Sequence, residues 1–585
     1  MSESVTDSPR VLVLDGDMVP ALTIARSLVR RGAVVEIAGH TQRPLSSFSR
    51  HCARYWLCPN PLEAVSDYLG WLGRHCAAQA YDLVIPVTER TLVPLSRQRD
   101  DFEGVPLAMP SADSLDLVLD KSQTMALAER LGVSVPQGVR VQSLAQLDAV
   151  AHELHFPVVL KPERSIGSGA AGVSQLQVSY AFDHAELRAG CTHALRFGAV
   201  LLQEYFGGQG VGVELIADRG SIAYSFQHRR LHEVPLTGGG SSLRVSEPVN
   251  ATLLEASRKL VEALDWHGVA MVEFKFNPAT GEYRLMEING RFWGSLPLAA
   301  AAGADFPGML LELELRGAVP TIAPYRTGVL CRLLSRDVSW YEAVLRAAAP
   351  ARIVTLPTRG EVLRGLGQFF SPRHRFDVQS LGDPLPGLVD LGRIVGSYAS
   401  RLGTLLRERR FLAAQRQAWR GGGIGRQLAG AQRLLFICYG NINRSALADI
   451  LVRPYAEDSG YTVLSAGFHA EGSRNMDPVM RSLLEAEGLS AEGFGSTVLT
   501  PDMLADSDLV FVMEQRHYDR IVAMDPRAGE RTFLLGAHEN SEGWPAEIPD
   551  PYGGPRDQYM ACYRRIAGAV DRLKSLMASA DGGAE

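Results

Sequence analysis

The stretch Leu434–Ala448, LLFICYGNINRSALA, limits what this chain can fold into more than any other. An apolar run with β character ends at Cys438. A loop follows with Gly440, Asn441 and Asn443, and Arg444 and Ser445 open what reads as a helix. A strand–loop–helix of this shape turns backbone N–H groups inward and sets a helix N-terminus against whatever occupies the cup. An anion suits such a cup. The N–H groups, the helix dipole and Arg444 would all favour a thiolate at Cys438. The arginine fork would take phosphate oxygens in pairs. Cys-x5-Arg-Ser is thus a phosphate cradle with a nucleophile at its floor. A bare Cys-x5-Arg describes a buried cysteine in an ordinary β–α turn equally well. The flanking strand and helix are what favour the cradle.

Residues 432–580 resemble the low-molecular-weight protein tyrosine phosphatases. Ser465-Ala466-Gly467, the run from Ala505 to Met513 (ADSDLVFVM) and Asp550-Pro551-Tyr552-Gly553 extend the likeness beyond the loop. The resemblance implies a parallel-sheet α/β phosphatase domain working through a phosphocysteine. Cys438 would be the nucleophile, with Tyr439, Gly440, Asn441, Ile442 and Asn443 as the phosphate-binding loop. Arg444 would hold phosphate and Ser445 would support the thiolate. Asp550 would be the general acid that later activates water. Asn441 and Ser465 would brace the loop. Many members of the family carry a second cysteine where Asn443 stands, so a disulfide within the loop is impossible here.

The chain is 585 residues long, enough for three or four domains. A net charge of −6 argues against a nucleic-acid-binding surface. The N-terminal MSESVTDSPR lacks a signal-peptide pattern, and no apolar run approaches the ~20 residues of a membrane span. Seven scattered cysteines form neither a CxxC pair nor a metal-spaced cluster. The expectation is a cytoplasmic protein with reduced thiols, without nucleic-acid or membrane partners.

The chain opens as βαβ, with a strand at Val11–Leu14, a helix from about Val19 to Arg31, and a strand at Ala33–Ala38. The first turn lacks GxGxxG, so a dinucleotide site is not expected. A further parallel strand, Tyr81–Val87, ends at Thr88-Glu89. Glu89 reads equally as a crevice residue or as the acid of a helix N-terminus. Leu115–Leu131 has a helical pattern. Lys161 ends an apolar strand, where a lysine needs an anion. Small residues from Ser165 to Val173 would let a backbone close over phosphates. Val200–Tyr205 is a strand ending in a polar pair, and Thr237–Ser242 is a polar loop suited to covering an active site. Val269–Phe276 and Tyr283–Asn289 form a hairpin carrying Glu273, Glu287 and Asn289, oxygen donors suited to divalent cations. Arg291 follows two residues on.

These pieces resemble the ATP-grasp superfamily, closest to the carbamoyl-phosphate-synthase-like carboxylate–amine ligases. The run Met286–Ser295 (MEINGRFWGS) carries most of the likeness, with Gly290 where the family usually has proline. The resemblance implies that Lys121 and Lys161 hold the ATP phosphates and that Gln203, Glu204 and Tyr205 form the hinge at adenine. Glu273, Glu287 and Asn289 would bind Mg²⁺ (Mn²⁺ being an alternative), and Arg291 would reach a phosphate. The acid that contacts the ribose would be Glu214, or it is missing with Val211 in its place.

Residues 321–420 form an extension. Asp383-Pro384 breaks the chain, and Leu388–Trp419 reads as an arginine-rich helix, more a solvated face than an anion site. Gly421–Gly425 reads as a flexible linker. The predicted fold is α/β and α+β multidomain. It comprises a pre-ATP-grasp parallel α/β domain (1–110), an ATP-grasp core (111–320), the extension (321–420), a linker (421–431) and the phosphatase domain (432–580). The expected function is bifunctional: an ATP- and Mg-dependent carboxylate–amine ligase acting through an acyl phosphate, and a cysteine-dependent phosphomonoesterase serving the same pathway. The alternative is a regulatory tyrosine phosphatase whose ATP-grasp part binds a nucleotide or ligand. A weaker reading, arsenate reduction, would need a relay cysteine, and only Cys562 shares the domain.

Overall fold

The computed structural model describes residues 8–162, 166–169, 172–175, 178–321, 323–347, 352–538 and 546–581; the side chains of 162–177, 370 and 581 are outside the description. The chain forms two compact units, divided after Gly396. Among the described residues no single helix is long and apolar enough to cross a membrane.

The first unit begins with β1 (Arg10–Val13), α1 (Val19–Arg30), β2 (Val34–Gly39), β3 (Arg54–Leu57), α2 (Val65–Gln79), β4 (Leu83–Ile85) and α3 (Glu89–Arg97). The strands form one parallel sheet in the order β3-β2-β1-β4. The apolar runs are buried on both faces, as parallel strands require. The single helix expected over Leu115–Leu131 is two, α4 (Ala112–Leu119) and α5 (Lys121–Arg130). Asp120 breaks it by capping α5, accepting from the N–H groups of Ser122 (2.9 Å) and Gln123 (3.0 Å).

A small antiparallel sheet follows, from β5 (Gly138–Val141), α6 (Leu144–Val150), β6 (Val158–Pro162), the paired β7 (Ile166–Gly169) and β8 (Gly172–Gln175), β9 (Ser179–Ala181), α7 (His184–Ala194) and β10 (Val200–Glu204). Its order is β5-β10-β6-β9. In the small-residue stretch 165–173, residues 165, 170 and 171 and all the side chains lie outside the described residues.

The largest sheet comprises β11 (Gln209–Asp218), β12 (Ser221–Val234), β13 (Gly240–Glu247), β14 (Gly268–Phe276), β15 (Tyr283–Asn289), β16 (Leu330–Arg332) and β17 (His374–Phe376), ordered β15-β14-β11-β12-β13-β16-β17. The helices of this part are α8 (Ala251–Ala263), α9 (Leu296–Ala302), α10 (Phe306–Arg316), α11 (Leu334–Leu345) and α12 (Arg359–Gly367). The expected covering loop is shorter than its sequence suggests, because β13 already begins at Gly240.

Asp383-Pro384 starts a helix rather than only breaking the chain. Here α13 (Pro384–Arg420) begins, and the Asp383 carboxylate takes Arg26 Nε (2.9 Å), Ser49 Oγ (2.6 Å) and the Arg50 N–H (3.1 Å).

The second unit takes α13 from Ser397 onward. It adds α14 (Gly423–Leu428), β18 (Arg433–Cys438), α15 (Arg444–Asp458), β19 (Thr462–Gly467), α16 (Pro478–Ala486), α17 (Pro501–Ala505), β20 (Leu509–Val512), α18 (Gln515–Met524), β21 (Thr532–Leu534) and α19 (Arg556–Asp581). The four strands are parallel in the order β19-β18-β20-β21. Where the glycine-rich sequence suggests a flexible linker, the chain forms α14, and Ile424 and Leu428 are buried in the core of this unit. Trp419, near the end of α13, is buried in the same core; its indole N–H donates to Leu534 O (2.9 Å) and Gln415 Oε1 accepts from the Leu534 N–H (2.7 Å).

Candidate active sites

In the second unit β18 delivers Cys438 to the carboxyl edge of the parallel sheet, where ligands of open α/β sheets bind. The loop from there to α15 turns at Asn441, whose φ of +49° suits a short polar side chain. The strand beside it must end in glycine, since a Cβ at Gly467 would lie 2.8 Å from Tyr439 O and 2.9 Å from Asn441 N. Two groups aim at the sulfur: the Asn441 N–H at 3.2 Å and the Ser445 hydroxyl at 3.0 Å. Asn441 Nδ2 donates to Ser445 Oγ (2.9 Å) and Oδ1 accepts from the Thr497 N–H (2.7 Å). Among the described residues the Ser465 hydroxyl makes no hydrogen bond to the loop. It donates to Asp449 Oδ2 (2.7 Å), fastening β19 to α15.

A cavity of about 220 Å³ opens over Cys438, lined by Tyr439, Gly440, Ile442, Asn443, His469, Arg474, Asp550 and Tyr552. Asn443 is buried, and among the described residues neither polar atom of its amide has a partner. A buried amide left unpaired at a cavity wall is costly unless something there bonds to it. Phosphate oxygens would accept from the Nδ2 group. Arg444 and Ser445 stand behind the cavity wall. Arg444 is fully buried; Nη2 pairs with Asp550 Oδ2 at 2.7 Å, and Nη1 donates to Ile548 O (2.9 Å) and pairs with Glu514. Asp550, expected as the acid, is thus tied to the arginine of the loop. Glu514 was not foreseen, although it directly follows β20 and Met513, at the same sheet edge as Cys438. Burial pushes the Cys562 thiol up to about 12, opposite to what a relay cysteine needs.

In the first unit a cavity of about 780 Å³ gathers Lys161, Gln203, Glu204, Tyr205, Glu273, Glu287, Asn289, Arg291 and Glu89. Lys161 sits on β6, and burial, aided by Lys121, lowers its pKa to about 8. Lys121 begins α5 and is not on the cavity wall. On β10 and just after it, Gln203 is buried with an unpartnered Oε1, Glu204 takes Arg284 Nε (3.1 Å), and the Tyr205 hydroxyl donates to Ile353 O (3.2 Å).

On the hairpin, Glu273 and Glu287 face each other across β14 and β15. Asn289 Nδ2 donates to Glu273 Oε1 (3.1 Å) and Glu287 Oε1 (3.2 Å). Burial raises the Glu273 pKa, and Glu287 adds to the rise, while Arg230 opposes it through a 2.5 Å contact with Glu273 Oε2. Two crowded carboxylates with an amide between them suit an oxygen-ligated divalent cation. Among the described residues no cluster of three or more His, Cys, Asp or Glu side chains is set to hold a metal. Arg230 was not foreseen. It lies 43 residues before Glu273, and only the β11 strand between β12 and β14 brings the two together.

Arg291 Nη2 lies 3.3 Å from Glu89 Oε1, and Glu89 both begins α3 and lines the cavity, so both of its readings hold. Glu214 is not a ribose contact. It is wholly buried, accepting from Ser295 Oγ (2.6 Å) and pairing with His228 Nδ1 (2.9 Å), while Val211 is buried in the core. At Gly290 Trp266 fills the space: a Cβ there would meet the indole at 2.4 Å.

Comparison with known proteins agrees with this layout. Residues 433–580 match the family described as low molecular weight phosphotyrosine protein phosphatase. Residues 196–336 match that described as ATP-grasp in the biosynthetic pathway with Ter operon. A probable low molecular weight protein-tyrosine-phosphatase, AmsI of Erwinia amylovora, is 31% identical over 139 residues, 24% of this chain and 92% of that protein. The carbamoyl phosphate synthase large chain of Clostridium beijerinckii is 26% identical over 213 residues, 35% of this chain but only 19% of that protein. The crystal structure of an L-amino acid ligase from Bacillus licheniformis superposes with a TM-score of 0.42 at 15% identity, covering 53% of this chain and 74% of that one. Through its C-terminal part the chain therefore belongs to the low molecular weight phosphotyrosine protein phosphatase family, with a region matching an ATP-grasp family ahead of it on the same polypeptide.

Proposed function

We propose that the chain joins an ATP-dependent carboxylate–amine ligase to a phosphomonoesterase that works on the same pathway. The ligase half rests on one observation above others: Lys161, Glu273, Glu287 and Asn289 share the walls of a single 780 Å³ cavity. Lys161 would neutralise ATP phosphates, and Gln203, Glu204 and Tyr205 would face the base. Glu273, Glu287 and Asn289 would hold Mg²⁺, which when bound screens the polyphosphate charge and that of the transition state. A substrate carboxylate oxygen attacks the γ-phosphorus and ADP leaves. An amine then attacks the acyl carbon and phosphate leaves, giving an amide. Water must be kept out between these steps, or the acyl phosphate hydrolyses.

In the phosphatase half the Cys438 sulfur attacks phosphorus, held in line by the loop. Asp550 gives its proton to the leaving oxygen, then takes one from the water that attacks the phosphocysteine. Asp550 must part from Arg444 for this, and a phosphate dianion reaching Arg444 supplies the exchange.

The test is to incubate the full chain with Mg-ATP and pools of carboxylates and amines, following ADP, with 4-nitrophenyl phosphate hydrolysis assayed in parallel. ADP release that needs particular acid–amine pairs, together with hydrolysis abolished by Cys438→Ser, is the expected result. Absence of ADP release from every acid–amine pair, with hydrolysis of 4-nitrophenyl phosphate intact, would sink the ligase reading and leave a nucleotide-binding part attached to a tyrosine phosphatase.

A further inference from the structure

The segment after β19 brings two side chains to the rim of the phosphatase cavity, His469 and Arg474. Neither belongs to the machinery above. Arg474 is fixed in place: its backbone N–H donates to Ser496 Oγ (3.0 Å), its Nε to Glu471 O (3.2 Å) and its Nη2 to Gly440 O (2.5 Å). All the acceptors of its guanidinium are carbonyl oxygens, and no described carboxylate lies within ion-pairing distance of it. The site's other guanidinium is the reverse case, since Arg444 is neutralised by both Asp550 and Glu514. The cavity's single lining carboxylate, Asp550, is already committed to Arg444. Among the described residues, the rim therefore carries a guanidinium without a carboxylate partner beside the phosphate loop.

His469 adds a donor. Its Nδ1 accepts from the Glu471 N–H at 3.1 Å, so the proton of the neutral ring sits on Nε2. Its ring stands edge-on to Tyr439, with centroids 6.0 Å apart at 88°. Tyr439 and Tyr552 are 47% and 69% exposed, and so offer open aromatic walls to a substrate ring. A phosphate over Cys438 would be held by the loop and Arg444, and would not need Arg474. A guanidinium already held by two carbonyls loses little rotamer freedom on meeting an anion.

We propose that the phosphatase selects phosphomonoesters carrying a second acidic group, a carboxylate that Arg474 binds at the cavity rim with His469 beside it. This rests on the phosphatase reading above and names its substrate class. It also fits a product of ligase chemistry, where amino-acid-like partners leave a free carboxylate.

The test compares N-acetyl-O-phosphotyrosine with its C-terminal amide on the full chain. The two share one leaving group and differ by one negative charge. Wild type should prefer the acid by roughly fivefold in kcat/KM, mostly through KM, and the preference should shrink in high salt. In Arg474→Gln the ratio should fall to near one, whatever happens to the rate common to both substrates. Arg474→Lys, a point charge without the fork, should restore part of it. A ratio near one in wild type, or a preference that survives in Arg474→Gln, would overturn the proposal. Absence of any Cys438-dependent hydrolysis of 4-nitrophenyl phosphate is a separate result: it removes the phosphatase reading, and this proposal with it.

Discussion

Trp419→Ala should cripple the phosphatase unit although Trp419 precedes residues 433–580, the segment matched to the phosphatase family. Its indole is 2% exposed and packs near Phe511 (ring centroids 5.9 Å apart), and its N–H donates to Leu534 O at 2.9 Å. Truncating a buried tryptophan costs about 3–5 kcal/mol. The orphaned Leu534 carbonyl adds to this unless water reaches it. Taking about 4 kcal/mol and a urea m-value of about 2 kcal/mol/M, the midpoint should drop by about 2 M. The apparent melting temperature should fall by about 8–16 °C, at 2–4 °C per kcal/mol for a unit of this size. The readout is 4-nitrophenyl phosphatase activity of the full chain after equilibration in urea, which reports on the second unit alone. Leu402→Ala, on the same helix but 57% exposed, is the comparison and should move the midpoint very little. A shift for Trp419→Ala below about 0.5 M, or one no larger than that of Leu402→Ala, would refute the claim that the end of α13 belongs to the phosphatase core.

Three further outcomes follow from the sites. Asp550→Asn should lower phosphotyrosine turnover roughly 10²–10⁴-fold. It should cost much less on 4-nitrophenyl phosphate, whose leaving group needs little help from a proton, and equal losses on both substrates would contradict the assignment. Lys161, held near 8, should lose its charge as pH rises through that value, so ADP affinity should weaken between pH 7 and 9 in wild type and not in Lys161→Met, as calorimetry can show. The same depressed pKa means that the unfolded chain binds more protons between about 8 and 10.5, so this group alone makes stability rise with pH across that window. Glu287→Gln should weaken Mn²⁺ binding to the ADP complex at least about tenfold by electron paramagnetic resonance, since carboxylate charge sets the affinity of such sites; unchanged Mn²⁺ binding would remove Glu287 from the metal site.

What the sequence revealed and what it hid divide along chain separation. Cys438 through Ser445 is one strand–loop–helix, so its geometry follows from local spacing, and the loop forms around Asn441. The Glu273–Glu287–Asn289 group is similarly local, being one hairpin in register. Arg230 reaches Glu273 across an intervening strand, and Glu514 reaches Arg444 from just beyond the neighbouring strand β20, 70 residues away in sequence; no periodicity could disclose either contact. Gly421–Gly425 reads as a linker because glycine dominates it. The overlooked signal was Ile424 and Leu428, spaced four apart as one buried helix face requires. Asp120 likewise falls within a helical pattern, yet its short carboxylate makes it a cap. Glu214 reads as a candidate ligand contact because it is acidic and follows the hinge; strand alternation does set it on the face of Glu273, but it is wholly buried behind the cavity wall against His228 and Ser295.

The most direct test of the central claim, that the ATP-grasp cavity phosphorylates a carboxylate, is an isotope transfer. The acid returned by the ADP screen would be labelled with ¹⁸O in its carboxylate and turned over with Mg-ATP and its amine by the full-length Cys438→Ser chain, so that the phosphatase does not act on the product. An acyl phosphate requires one ¹⁸O to move from acid to released phosphate with each amide formed. Phosphate released without label, while amide accumulates, would contradict it.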